Sequence, residues 1–448
     1  MPKIKLKTAL GFSVGDVGGN LYFSMMGFIL IYYLTEHRGL TGTLAGSAMM
    51  IGKIWDAITD PIVSSISDRT NSKYGRRRPF IFWGALLLGI SVVLMFSMPQ
   101  FSSQFITFLV ATILFCTLST AYTLVNIPYA SLQPELTDDY NEKTKITGMR
   151  MGFAILGTLL AVMARPIAEF FGLENGGWTK MAIIMGSIML VSSWVTVFTV
   201  KEKPTKRLKK QKGVLISYKE AFTNREFLLA LFPWTLFVTA VTIIQGSFLY
   251  FFKYIFNNEG LFEISLFGLI IISLLSLPLW VKISKKISKG KCYMLGMGFF
   301  AASLLISYFL YPFTGYIFPV IILIISGVGF STHYIMPHSI IPDIVELDYI
   351  RTEIRREGVY YSIWNFVMKL GQAFAGLLIG LTLDIIGFVP PINNEAVLQS
   401  DFTLKGIGFL CGPIPFILIL TGLFILNKYP IDLNYYKNHI NRKDRLNA

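Results

Sequence analysis

The sequence predicts an all-α membrane protein with twelve transmembrane helices in two six-helix halves. Three observations lead there. The 448 residues are 53% hydrophobic, 15% aromatic and only 15% charged, where a soluble chain carries about 25% charge. Apolar stretches of about 20 residues, enough to cross a bilayer, recur along the whole length. Lys and Arg collect in alternate connecting segments, the bias that orients membrane proteins.

The spans are expected at 9–34, 42–67, 80–98, 104–129, 146–171, 178–200, 227–252, 261–281, 292–311, 317–341, 358–388 and 405–427. The opening "MPKIKLKTAL" resembles the basic start of a signal peptide. The apolar run behind it is too long and has no small-residue cleavage site, so it reads as a retained first span. The spans are rich in Gly and aromatic residues, which suits close helix packing.

With the N-terminus inside, the inner segments hold 33 Lys and Arg and the outer segments 4. Lys53, Arg165 and Lys369 lie within spans. Both termini are therefore expected on the cytoplasmic side of the cytoplasmic (inner) membrane. The linker "KEKPTKRLKKQKGVLISYKEAFTNRE" divides six spans from six. The expected organisation is an N-terminal half at 1–200, a basic linker at 201–226, a C-terminal half at 227–427 and a tail at 428–448. The loops "SDRTNSKYGRRRP" and "KISKKISKGK" occupy equivalent places in the two halves, a weak internal repeat.

The net charge of +14 is explained by orientation rather than by a nucleic-acid partner. The three cysteines, Cys116, Cys292 and Cys411, are too few and scattered for a disulfide framework. The chain has no HExxH, no Walker A motif, no CxxC and no G-x-S-x-G. Neither an enzyme nor an ATP-driven pump is expected, and no cofactor. A receptor would need a signalling domain, and the inner loops are too short for one.

The stretch "KIWDAITDP" breaks the apolar pattern of the second span. An ionisable group in a span costs roughly 2.5–3.5 kcal/mol on insertion scales, so it usually marks a pathway or a site. Lys53, Asp56 and Asp60 stand at i, i+3 and i+7, within about 60° of one helix face and near mid-depth. Two carboxylates one turn apart repel unless a cation or a shared proton lies between them. One lysine cannot neutralise both acids, so a monovalent cation or proton site is expected at Asp56 and Asp60. The other reading is an internal ion pair of Lys53 with Asp56. Thr59 offers a nearby hydroxyl, and Pro61 frees a carbonyl near Ala57.

In the first span, "GFSVGDVGGNLYF" carries Asp16 and Asn20 at i, i+4 among glycines that let a neighbour approach. Asp16 suits a substrate hydroxyl, or else a cationic neighbour. In the fourth span, Tyr122, Thr123 and Asn126 form a polar cluster, and Pro128 is expected to end the helix. Thr123 can give an oxygen to the cation and Asn126 a hydrogen bond to substrate; the same residues can also serve as helix–helix glue. Arg150 opens the fifth span as a second candidate for substrate. Arg165 and Glu169, at i, i+4, read as a local salt bridge. On the eleventh span Lys369 shares a face with Asn365 and Gln372 and is assigned, with Lys53, to coupling. His333 and His338 read as satisfied histidines rather than ligands.

Taken together, "GDVGGNLYF", "KIWDAITDPIVSSISDRTNSKYGRRRPF", "NIPYASLQPELTDD", "TGMRMGFAILG" and "MKLGQAFAGLLIG" resemble the glycoside–pentoside–hexuronide:cation symporters. This is the melibiose-permease family of the major facilitator superfamily. The resemblance covers most of the chain, in the same order and spans. It implies that Asp56, Asp60 and Thr123 contribute to a sodium site, that Asp16 and Arg150 hold the sugar, and that Lys369 lies next to the cation site. Three positions depart from melibiose permease: Asn126 replaces an acid, Ala130 a tryptophan and Gly15 a basic residue. The room beside Ala130 admits a uronide or pentoside in a different ring pose, or an acyl chain.

The expected function is therefore symport of a sugar, glycoside or uronide with Na⁺ or H⁺ by a monomer working through alternating access. A sodium-dependent lysolipid symporter is the alternative. The loops "SDRTNSKYGRRRP" and "PDIVELDYIRTEIRREG" are expected either to make charge contacts that break on opening inward or to be simply solvated.

Overall fold

A computed structural model describes residues 4–70, 72–137, 139–173, 175–202, 214–284, 286–354, 356–391, 397–431 and 435. Much of the basic linker (203–213) and most of the expected tail (432–434 and 436–448) lie outside the described residues. Among the described residues there are helices and no strands.

Eleven helices are long and apolar enough to cross a membrane: α1 (Leu6–His37), α3 (Arg78–Phe96), α4 (Gln104–Gln133), α5 (Lys145–Phe170), α6 (Gly177–Thr199), α7 (Arg225–Ile255), α8 (Gly260–Ser284), α9 (Lys289–Thr314), α10 (Ile317–Thr352), α11 (Glu357–Ile385) and α12 (Asp401–Leu426). The remaining span is α2 (Gly42–Arg69), 28 residues long. At about 1.5 Å per residue it reaches about 42 Å, ample for a bilayer. It falls short on apolarity because it carries Lys53, Asp56 and Asp60.

Several expected spans end elsewhere or break internally. The fourth span does not stop at Pro128: α4 continues through it, because Tyr129 and Gln133 are anchored by side-chain hydrogen bonds on the far side. The tenth span runs to Thr352 rather than 341, with a break at Ser326 between Ile317–Ile325 and Gly327–Thr352. The twelfth breaks at Gly412, where Pro413 has no N–H to continue the ladder. The first breaks near Val14, between Leu6–Ser13 and Gly15–Tyr32.

The chain forms two compact units, Met1–Arg207 with Gly376–Ser400, and Leu208–Ala375 with Asp401–Ala448. The segment 376–400, expected in the C-terminal half, groups with the first unit. The reason is local. Asp384 of α11 accepts the N–H of Gly42 (2.7 Å) and of Thr43 (2.8 Å), satisfying two of the donors left free at the start of α2. A Cβ on Gly380 would lie 2.1 Å from the carbonyl oxygen of Gly42, so only glycine allows the approach.

Within the first unit, α1 packs on α5 and α6, α2 on α4, and α3 on α4 and α6. Within the second, α7 packs on α12, α8 on α10, and α9 on α10 and α12. Apart from α1 on α5, these pairings correspond helix for helix. The first helix of each unit also ends in a wide π turn, at Tyr33–His37 and at Phe251–Ile255. The chain there reads "YLTEHRGL" at 33–40 and "YIFNNEGL" at 254–261, a closer internal repeat than the basic loops.

The basic loops bind their own unit. Glu202 accepts three successive N–H groups, from Arg76 (2.7 Å), Arg77 (2.9 Å) and Arg78 (2.8 Å), at the start of α3. Arg77 pairs with Asp68 at 3.1 Å. In the second unit Lys289 pairs with Asp343 at 2.6 Å, Arg351 with Glu226 at 2.8 Å, and Arg356 with Glu220 at 2.7 Å. Each of these expected charge contacts lies inside one unit, where it ties helix ends together.

Candidate functional site

The first unit gathers two polar groups along α4. The first sits where α2 meets α4. Gly52 lets them close: a Cβ there would lie 2.1 Å from the ring of Phe115. Thr123 Oγ1 then lies 2.8 Å from Asp56 Oδ1 and 3.2 Å from Asp60 Oδ1. Asp56 is 2% exposed and Thr123 1%, while Asp60 is half-buried. A hydroxyl has one proton, so Thr123 donates to one carboxylate at a time. The spacing of Asp56 and Asp60 on one face therefore becomes a convergence of oxygens on one hydroxyl. Such an all-oxygen set suits a small hard cation or a shared proton. Among the described residues no three His, Cys, Asp or Glu side chains come together as a metal cluster.

The Thr59 hydroxyl donates back to the Asp56 carbonyl at 3.1 Å, and its oxygen keeps its acceptor lone pairs. Lys53 is buried on the same helix, with Nζ 5.4 Å from the centre of the Phe23 ring.

The second group joins α1, α4 and α5. Arg150 grips Asp16 with two parallel bonds, Nε to Oδ2 at 2.6 Å and Nη2 to Oδ1 at 3.0 Å. This fork geometry is the strong form of an arginine–carboxylate pair. Tyr129 adds its hydroxyl 2.7 Å from Asp16 Oδ2 and 2.9 Å from the Phe12 carbonyl. Gln133 accepts from Arg150 Nη1 and donates to Thr147 Oγ1 at 2.8 Å. The guanidinium is flanked by the rings of Phe12 and Tyr129, 5.5 and 5.0 Å from their centres. Asn20 donates to the Asp16 backbone carbonyl at 3.0 Å, so it braces the helix beside the carboxylate.

Tyr122, next to Thr123 on α4, stacks on Tyr22 of α1 at 4.2 Å. Asn126, half-buried, makes no side-chain hydrogen bond within the described residues. Its amide keeps both donor and acceptor for a ligand.

Sequence reasoning found Tyr122, Thr123 and Asn126 but missed Tyr129 and Gln133. The signal was present. Residues 122, 126, 129 and 133 follow i, i+4, i+7 and i+11, a single helical stripe. Reading Pro128 as the helix end cut the stripe in two.

Lys369 is buried on the part of α11 that belongs to the second unit. Also in that unit, His333 is satisfied, its Nδ1 3.0 Å from the Tyr293 hydroxyl. It stacks on Trp234 at 4.9 Å, and Trp234 stacks on Trp364 at 5.4 Å. Arg165 and Glu169 form the expected local pair.

A family of sugar carriers, described as MFS/sugar transport protein, matches residues 11–433. The chain belongs to this family. Its relatives include a putative glycoside/cation symporter, YagG, of Escherichia coli (strain K12), 26% identical over 95% of this chain and 92% of the relative. They also include an isoprimeverose transporter of Lactiplantibacillus pentosus, 26% identical over 84% and 80% of the two chains. The nucleoside transporter NupG, in the crystal structure of a mutant form, shares the fold, with TM-score 0.66 at 12% identity over 94% of this chain and all of that one. This member of the MFS/sugar transport family is thus a multi-pass membrane transporter and not an enzyme.

Proposed function

We propose that the chain is a cation-coupled symporter of a glycoside. Asp56, Asp60 and Thr123 hold Na⁺ or H⁺. Asp16 and Arg150, with Asn126, hold substrate hydroxyls. Lys53 and Lys369, both buried cations, are assigned to coupling. The protein works in the cytoplasmic membrane with both termini inside.

The observation that carries this is the position of Thr123 within hydrogen-bond reach of both Asp56 and Asp60, on the same helix that meets Asp16 through Tyr129. A buried and a half-buried carboxylate that share one hydroxyl repel each other, and a cation between them offsets that repulsion. A cation that settles there fixes the rotamer of Thr123 and the register of α4. It thereby fixes the neighbours of Asp16 one to two turns away. A ligand at Asp16 acts on the same helix in return, as linkage requires. A glycoside is favoured over a lysolipid by the sugar-transport family and by the glycoside/cation relative.

Uptake into proteoliposomes tests this. A sodium gradient or a proton gradient should drive accumulation of a labelled glycoside, and Asp60→Asn should abolish the drive while the protein remains folded. Accumulation indifferent to both gradients would remove the coupling. Movement of a lysolipid with no sugar moved would replace the substrate.

A further inference from the structure

Given a glycoside substrate as proposed above, we infer that this carrier selects uncharged glycosides over uronides, and that Gln133 is the residue that positions Arg150 to do so. An unpaired arginine would suit a uronide carboxylate. The geometry of Arg150 points the other way.

Charge comes first. Arg150 is already neutralised by Asp16 in a bidentate pair. Both side chains are largely out of solvent, 16% and 9% exposed. The pair has no net charge left, so a substrate carboxylate would enter as an unbalanced ion, and burying an unbalanced ion is expensive. The ionisable side chains of the neighbouring group on α2, Lys53, Asp56 and Asp60, sum to a single negative charge, which a monovalent cation would cancel.

Donor geometry comes next. Nε and Nη2 serve Asp16, and Nη1 serves the Gln133 amide oxygen. The rings of Phe12 and Tyr129, stacked on each other with centroids 4.7 Å apart, lie beside the guanidinium. Gln133 is itself held, its amide nitrogen donating to Thr147 at 2.8 Å. With Asp16 on one fork and Gln133 on Nη1, two of the five guanidinium N–H groups remain, and an incoming carboxylate competes with Gln133 for Nη1. A sugar hydroxyl displaces nothing. It can donate to the remaining acceptor position of Asp16 Oδ1, since a carboxylate offers about four acceptor sites in all. Asn126, whose side chain has no hydrogen-bond partner among the described residues, then reads a second hydroxyl.

Gln133 acts through Arg150 and not on the substrate, so its signature is selectivity. The test uses matched p-nitrophenyl hexosides and hexuronides, gluco and galacto, in both anomers. These pairs differ only in CH₂OH against COO⁻. Uptake and competition are measured with the full chain in proteoliposomes under sodium and proton gradients. The wild type should prefer the neutral member by about tenfold or more in KM. Gln133→Met, which frees Nη1, should shrink that preference by about tenfold while changing the maximal rate little. Gln133→Glu places a second carboxylate on Arg150 and should enlarge the preference. A uronide taken up as well as its hexoside would overturn the inference and leave the symport reading standing. A shift of the same sign in both variants would reduce Gln133 to a structural role. If no sugar is moved under either gradient, the glycoside reading fails and this inference with it.

Discussion

The two units are built on one plan and hold different chemistry. In both, the first helix ends in a π turn, the second packs on the fourth, and the third packs on the fourth and sixth. Yet the first unit places Asp16, Asp56 and Asp60 inside its spans. The second places a column of stacked rings, His333, Trp234 and Trp364, on its seventh, tenth and eleventh helices. Its ion pairs Lys289–Asp343, Arg351–Glu226 and Arg356–Glu220 each join a helix end, or the short segment beside one, to a neighbouring helix. A carboxylate inside a span is retained only where something offsets its cost. An aromatic stack has no such cost and adds packing. The comparison teaches that scaffold symmetry does not carry chemical symmetry. The ionisable interior is concentrated in the unit that holds the proposed cation and sugar positions.

Breaking that contrast at its strongest point gives the largest expected effect on transport. Asp56→Asn or Asp60→Asn should reduce cation-stimulated uptake by about 100-fold, near the upper end of ordinary coupling. His333→Gln in the second unit should leave cation dependence intact. Equal loss in both would erase the distinction between the units.

Next comes the arginine fork. Arg150→Lys keeps the charge but cannot make two parallel bonds to Asp16. Substrate KM should rise by about tenfold or more, with cation affinity changed far less. A purely cation-side defect, seen in a titration of uptake against sodium or pH, would move Arg150 out of the substrate group.

Thr123 sharpens the comparison further. Thr123→Val removes the hydroxyl that meets both carboxylates and keeps the shape. The apparent cation affinity should fall by several-fold to about tenfold, and Thr123→Ser should restore most of it. An unaltered Thr123→Val protein would leave the two carboxylates to work without α4.

The smallest effect on transport is expected from the ring column. Trp234→Ala should destabilise the protein by about 3 kcal/mol or more through lost packing. Thermal unfolding in detergent should show it, while the surviving protein keeps wild-type cation and substrate KM. A KM change instead of a stability change would make the column part of the transport site.

Much of this molecule is legible without coordinates, because the bilayer enforces it. Backbone polar groups cannot remain unpaired in lipid, so every long apolar run must become a helix. The bias of Lys and Arg towards alternate loops gives an expected orientation. The cost of charge in lipid makes Asp16, Asp56, Asp60 and Lys369 conspicuous. The π turns, the break at Ser326 and the continuation of α4 through Pro128 are not legible, because each depends on neighbours that compensate a local defect. Tyr129 and Gln133 were hidden for that reason. Their helical stripe is visible only once α4 is known to pass Pro128.

The order of apolar runs and the placement of charge along the chain thus determine twelve spans and single out the acids that lie within them. Only the packed structure decides which partners those acids have. Asp56 and Asp60 meet on Thr123 because Gly52 lets α4 come close. Asp16 faces Arg150 and Tyr129 instead of water because α4 and α5 both reach α1 at that depth. Asp384 binds the start of α2 across more than three hundred residues of chain. Periodicity along a helix assigns each side chain a face. Which group stands opposite that face is a property of the neighbouring helix, and close packing through glycines sets that distance in space.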